Sequence, residues 1–117
     1  MMRDYDNKQF AMYTAAMARA VHQNAIDHEW WTDAGRNDGE LLALIHSELS
    51  ECLEALRDGN QESRAIPDHC SAVEELADAV IRIFDMADAR GWDIGGAIVA
   101  KHRFNIGRPV RHGGKAF

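Results

Sequence analysis

The stretch LLALIHSELSECLEAL, residues 41–56, has the pattern of an amphipathic helix with acids on the margin of its apolar side. At about 100° per residue, one stripe collects Leu41, Ile45, Leu49, Cys52 and Leu56. Leu42 and Leu53 widen this stripe on one side, and Glu48 falls on its other edge, with Glu51 one turn further along. A carboxylate at the margin of a core is costly unless something compensates its charge. The pattern therefore predicts that another group compensates the charge of these acids.

A second stretch, from Ser71 to Arg90, repeats this pattern. Its predicted apolar face consists of Ala72, Leu76, Val80, Ile83 and Ala87, with Val73 and Phe84 beside it. Glu75 borders that face, and Asp78 and Arg82 lie next to Glu75 on the same flank. Because residues three apart on a helix are neighbours, ExxE at 48–51 and ExxD at 75–78 each present two carboxylates to one place.

The composition limits the class of protein. A chain of 117 residues predicts one domain over residues 1–117, long enough for a core and small enough to gain from oligomerisation. The net charge of −6 argues against general binding to nucleic-acid polymers. There is no apolar run of membrane-spanning length, and the start MMRDYDNKQF lacks the apolar segment of a signal peptide. Only two cysteines, Cys52 and Cys70, are present, so we expect a soluble cytoplasmic protein.

The periodicity predicts helices over residues 8–28, over the stretch around 41–56, over Ser71–Arg90 and over 92–104, with loops at 29–39 and 60–70. The tail from Asn105 to Phe117 reads as non-helical and basic. No strand is expected. The predicted fold is all-α, a single-domain bundle of about four helices.

Several local features carry their own predictions. Asn37 or Asp38 can cap the second helix, and Ser71 with Glu74 has capping-box spacing, which would give Glu74 a structural role. His22 and His28 read as surface or capping residues. The adjacent Trp30 and Trp31 either plug the end of the bundle or stack on a planar ligand, and the plug is favoured.

The four carboxylates of the two motifs suggest a metal site if their helices pack antiparallel. An all-oxygen set suits Mg²⁺ or Mn²⁺ better than zinc. ExxE also arises on any solvated helix face, and from spacing alone that interpretation is preferred. A di-iron bundle would need glutamates followed three residues later by histidine, a pattern that this chain lacks.

Basic residues gather near the end of the chain. Lys101 and Asn105 are four apart on the last helix, and Arg108 follows shortly after. Cations here either complement the helix dipole or bind phosphate. Acidic pairs together with a basic end suit a metal–nucleotide substrate.

Two parts of the chain resemble a known family. ELSE (48–51) followed by EELADAVIRIFDMA (74–87) resembles the ExxE…ExxD signature of the MazG-like nucleoside triphosphate pyrophosphohydrolases. The ending KHRFNIGRPVRHGGK (101–115) is similar to the KxxxNxxRPxxHGxK ending of small members. Where relatives often carry an aromatic residue after the RP pair, this chain has Val110.

The resemblance implies Mg²⁺-dependent hydrolysis of an NTP or dNTP to the monophosphate and pyrophosphate, in a house-cleaning role. It implies Mg²⁺ ligands at Glu48, Glu51, Glu75 and Asp78, and phosphate contacts at Lys101, Asn105 and Arg108. Glu51 is our choice of general base. Because members of this family assemble into dimers or tetramers, the resemblance also implies a homodimer or homotetramer with the site at a subunit interface. The alternatives are a non-catalytic helical module that binds nucleotides or alarmones, and a helical dimerisation scaffold.

Overall fold

The computed structural model describes residues 3–32 and 35–110, which form four helices: α1 (Asp4–Asp27), α2 (Asp38–Arg57), α3 (Ser71–Arg90) and α4 (Ile94–Ile106). Within those residues there is no strand beyond an isolated antiparallel bridge between Glu62 and Cys70. The prediction of an all-α bundle of about four helices is confirmed. In the same part of the chain, no helix combines the length and the apolar character needed to cross a membrane.

The helix ends correct some sequence predictions. Asn37 caps α2, its Oδ1 accepting a hydrogen bond from the Glu40 backbone N–H at 2.8 Å. The predicted capping box at Ser71 is wrong, because Cys70 is the N-cap of α3 and Glu74 instead accepts a hydrogen bond from the Ser63 hydroxyl. α4 continues through Asn105 to Ile106, so the predicted non-helical tail begins later, and residues 111–117 lie outside the described part.

The helices pack in the order α2, α3, α1, α4, with α3 between α2 and α1. α2 and α3 are antiparallel, because Arg90 at the end of α3 pairs with Asp38 at the start of α2, at 2.8 Å. Nearer the middle of both helices, Arg82 pairs with Glu48 at the same distance. α1 and α4 are antiparallel too, with Arg103 Nη2 placed 2.8 Å from the Asp4 carboxylate.

The buried apolar core is built from small side chains and two larger ones: Ala18, Ala25, Leu41, Cys52, Ala72, Ala79, Met86 and Ala87. The predicted apolar faces of α2 and α3 are therefore only partly buried. Six of their large side chains are 42–54% exposed: Leu49, Leu53, Leu56, Val73, Leu76 and Val80. We call these six residues the outer stripe. The edge that carries Glu48 points inward instead, and small residues let the helix backbones come close there.

The register of the two ion pairs sets the outer stripe in rows across the α2–α3 pair. Leu49 lies opposite Val80, Leu53 opposite Leu76, and Leu56 opposite Val73. Each helix of the antiparallel pair thus contributes three exposed large apolar side chains at matching levels along the pair.

Gly95 holds α4 close to α1. A Cβ at this position would lie 2.9 Å from Thr14 Cβ and 3.2 Å from the Ala11 backbone. We expect Gly95→Ala to lower the thermal midpoint. Overpacking usually destabilises a fold by about 1–3 kcal/mol, which opposes the gain of about 1 kcal/mol in helix propensity. Gly107→Ala is the matched control, because its added Cβ would meet no atom closer than 3.7 Å. Circular dichroism melts that show equal midpoints for both variants would contradict this packing.

Candidate functional site

Acidic side chains from α2 and α3 converge where the two helices face each other. Carboxylate oxygens of Glu48, Glu51 and Glu75 lie within 4.8 Å of one another. A second group with the same spacing joins Glu74, Glu75 and Asp78. Glu75 belongs to both groups, so the five carboxylates form one acidic cluster. The antiparallel packing that the metal interpretation required is present, and all four predicted ligands belong to this cluster.

Arg82 neutralises one member of the acidic cluster. Its Nε donates to Glu48 Oε1 at 2.8 Å, and Glu48 is only 7% exposed. Burial acts to raise the pKa of Glu48, but hydrogen bonds with Arg82, Glu51 and Glu75 outweigh that effect and lower it. Glu48 is thus the carboxylate of the cluster that stays ionised most readily. The compensation that the sequence required for its charge comes from the neighbouring helix.

Three other carboxylates of the acidic cluster, those of Glu75, Asp78 and Glu51, have raised pKa values. Burial, together with hydrogen bonds and charge repulsion from Glu48 and Glu51, raises the pKa of Glu75 to about 7. Burial and the nearby Glu48 and Glu74 charges raise the pKa of Asp78. The pKa of Glu51 is raised chiefly by its hydrogen bond with Glu48. One arginine therefore does not balance this cluster, and its all-oxygen donor set fits a hard cation such as Mg²⁺.

A cavity of about 790 Å³ opens beside the acidic cluster, between α1, α2 and α3. Its volume is within the range of small-molecule pockets. Glu48, Asp78 and Arg82 line one part of it, and Trp30, Asn24 and Asp85 line another. The remaining lining is largely apolar and includes Ala20, Val21, Ala25, Leu44 and Ile81. The cavity connects the acids to an aromatic and apolar chamber.

Asp85 is buried in the wall of this cavity and is held by two partners. His22 Nδ1 lies 2.6 Å from Asp85 Oδ1, and Trp31 Nε1 donates to both carboxylate oxygens at 3.0 and 3.1 Å. The expectation that His22 is a surface or capping residue is wrong, because it bonds across to α3. His28 does cap α1, its Nδ1 lying 2.8 Å from the Asn24 carbonyl oxygen.

The two adjacent tryptophans have different environments. Trp31 is half-buried and packs edge-on against His22, with ring centroids 5.1 Å apart, as expected for a residue that closes the end of the bundle. Trp30 is 56% exposed and lines the cavity, so it does not act as a plug. The favoured plug interpretation thus applies to Trp31, and Trp30 keeps the alternative of ligand stacking.

The basic residues predicted to bind phosphate lie elsewhere in the chain. Lys101 and Asn105 are on the exposed side of α4, and Arg108 follows its end. The Arg103 end of α4 meets α1 at Asp4, whereas the part of α1 that lines the cavity begins at Ala20, 16 residues or about 24 Å further along the helix. A single chain therefore does not bring the predicted phosphate residues to the acidic cluster.

Sequence reasoning assigned no site role to Glu74, Arg82 or Asp85. Glu74 lies four residues before Asp78 on α3, so helical spacing alone brings these two carboxylates together, but the predicted capping box had given Glu74 a different role. Arg82 and Asp85 did leave a signal. Both are charged residues within the apolar run AVIRIFDMA (79–87), where an unpaired charge would be costly.

The raised pKa of Glu75 predicts a pH-dependent stability in metal-free buffer. Between its ordinary value of 4.5 and about 7, the folded state holds a proton that the unfolded state releases. The free energy of unfolding therefore falls as pH rises through this window. Glutamine mimics the protonated acid, so we expect Glu75→Gln to match the native melting temperature near pH 4.5 and to exceed it at pH 8, with EDTA present. Glu54→Gln, an exposed α2 variant that keeps Glu75, should follow the pH dependence of the native chain, and parallel curves for the native chain and Glu75→Gln would refute the shift.

The chain was compared with models of known protein families, with curated proteins and with solved structures. None of the three comparisons finds a match.

Proposed function

We propose that this chain is a MazG-like nucleotide pyrophosphohydrolase, which converts an NTP or dNTP to the monophosphate and pyrophosphate with Mg²⁺. The observation that carries the proposal is the convergence of carboxylates from two helices, two of which, Glu48 and Asp78, line a ligand-sized cavity. The motif resemblance points to the same chemistry. We place the activity in the cytoplasm, as a house-cleaning reaction on free nucleotides. The net charge of −6 argues against a nucleic-acid polymer as the substrate.

In this proposal Glu48, Glu51, Glu75 and Asp78 hold the cation. When bound, Mg²⁺ (or Mn²⁺) would neutralise charge on the α- and β-phosphates and increase the acidity of the attacking water. Glu75 is assigned as a ligand because it belongs to both carboxylate groups. The raised pKa values of Glu75, Asp78 and Glu51 support the assignment, because a cation would remove the repulsion that produces them.

The chain's own residues would then act on water and phosphate. Glu51 lies at the exposed edge of the acidic cluster, where a carboxylate oxygen that does not hold the cation would accept a proton from the attacking water. As water attacks the α-phosphorus, Glu51 takes its proton, and the bond to the α–β bridging oxygen breaks to release pyrophosphate. Arg82 lies on the cavity wall beside Glu48, and in this proposal its guanidinium contacts the α-phosphate.

The test is pyrophosphate release from a panel of NTPs and dNTPs, with Mg²⁺ and with EDTA. We expect metal-dependent release with the monophosphate as the other product. Glu48→Gln and Asp78→Asn should each lower the rate about 100-fold or more. Asp78→Asn keeps the side-chain volume and should keep the native helix content by circular dichroism. Glu48→Gln also removes the charge that pairs with Arg82, so its rate is compared only after circular dichroism shows that it is folded. Asp88→Asn removes one charge from α3 outside the cluster and should leave the rate unchanged.

Silence across the panel from folded protein, with no thermal stabilisation by Mg²⁺, would contradict the proposal. Stabilisation by Mg²⁺ and nucleotide without release would favour a nucleotide-binding module instead. If both variants unfold, the two carboxylates are structural.

We also propose that the outer stripe is covered by a second copy of the chain, in a homodimer or homotetramer. The stripe consists of three large apolar side chains on each of α2 and α3, and their exposure in one chain leaves only a small core. The acidic cluster lies on the same helix pair, so a second copy docked there would sit beside it. Such a copy would also be the source of Lys101, Asn105 and Arg108 at the site.

Size-exclusion chromatography with light scattering tests this assembly. The native chain is expected at two or four times the mass of 13.1 kDa. Leu53→Glu places a charge in the centre of the outer stripe and should shift the mass towards the monomer. Tyr13→Glu places the same charge on an exposed residue of α1, outside the stripe, and should leave the mass unchanged. A monomeric native chain would overturn the proposed assembly.

A further inference from the structure

The cavity beside the acidic cluster has two chemically different ends. Glu48 and Asp78 line it at the cluster, and Trp30, Asn24 and Asp85 line it away from the cluster. Along α3, Asp78 and Asp85 are seven residues apart, or about 10.5 Å. If the phosphates lie at the acids, as in the proposed function, then the sugar spans this distance and the base reaches Asp85.

Asp85 can only accept hydrogen bonds when ionised. His22 Nδ1 and Trp31 Nε1 donate to it and fix its orientation. Oδ1 receives both donors, whereas Oδ2 receives only the shared Trp31 N–H, so Oδ2 retains capacity for another donor. A keto oxygen placed against this carboxylate would be repelled, and an amino group would be bound.

The residues around Asp85 complete a site for a planar base. Trp30 lines the cavity with 56% of its surface exposed, and its ring packs against His28 with the centroids 5.2 Å apart, so an exposed part of the indole can stack on a base. Arg36 also lines the cavity, with its guanidinium carbon 5.3 Å from the centroid of the Trp31 ring. Arginine carries donors only, so it suits the ring nitrogens or keto oxygens that accompany an amino group on a base.

We propose that this cavity takes a nucleobase bearing an exocyclic amino group, such as cytosine or adenine, and rejects the keto counterpart. The amino group donates to Asp85 and the base stacks on Trp30. The proposal rests on the proposed function for the placement of the phosphates, and it adds the class of base that the same site selects.

Matched pairs of substrates test the selection, because CTP and UTP, or ATP and ITP, differ at the amino or keto position. We expect kcat/KM to be about 10- to 100-fold higher for the amino member of each pair, the range for one hydrogen bond to a charged group. Equal values, or a preference for the keto member, would overturn the inference while metal-dependent hydrolysis still stood.

Two variants assign the preference to these residues. Asp85→Asn offers an amide N–H₂ as well as an oxygen, so the amino/keto ratio should fall towards one, and Asp88→Asn on the same helix should leave it unchanged. Trp30→Leu changes an exposed residue and should weaken both members of a pair equally, keeping the ratio. An unchanged ratio in folded Asp85→Asn, or a changed ratio in Trp30→Leu, would contradict the assignment.

Binding of CMP and UMP, followed by isothermal titration calorimetry, separates this inference from the reaction. Tighter binding of CMP that Asp85→Asn abolishes would support the base site even if no triphosphate were hydrolysed. Equal binding of CMP and UMP by the native chain would refute the base site whatever the outcome of the hydrolysis assay.

Discussion

The Glu48–Arg82 ion pair is the interaction on which the arrangement of α2 and α3 depends. It joins the middle of two antiparallel helices at 2.8 Å and places a nearly buried carboxylate at their contact. Breaking such a pair leaves an uncompensated buried charge, so it fixes the register of the two helices more firmly than exposed ion pairs do. The same register brings Glu51, Glu75 and Asp78 together around it.

Turning the Glu48 edge of α2 inward leaves large apolar side chains exposed, and this exposure is the basis of the proposed assembly. With Glu48 turned inward, the leucines and valines of the outer stripe turn outward. The helices then bury mainly alanine, cysteine and methionine between them. A bundle that encloses charge and exposes leucine is stabilised when another apolar surface covers it. In our proposal the assembly and the acidic cluster thus have one origin, the orientation of a single pair of helices.

The cavity lies where α1 packs against the α2–α3 pair. α1 packs on α3 through His22 and Asp85, and the loop before α2 contributes Trp30 and Trp31. The carboxylate of Asp85, unlike those of the acidic cluster, is held in place by two ring nitrogens, His22 Nδ1 and Trp31 Nε1. The chain therefore keeps negative charge in two settings: a mutually repelling cluster suited to a cation, and a fixed acceptor suited to an amino group.

The sequence by itself determined the helices, because apolar periodicity and capping residues such as Asn37 are local properties. It also determined which carboxylates could share a place, since residues three apart on a helix always neighbour one another. Only the tertiary structure decided which face of α2 points inward, because a stripe of leucine is equally suited to a core and to an interface between chains. Only it joined His22 and Trp31 to Asp85, residues 63 and 54 positions apart, and separated Lys101 from the acids. Such contacts depend on how helices cross, which no local periodicity records.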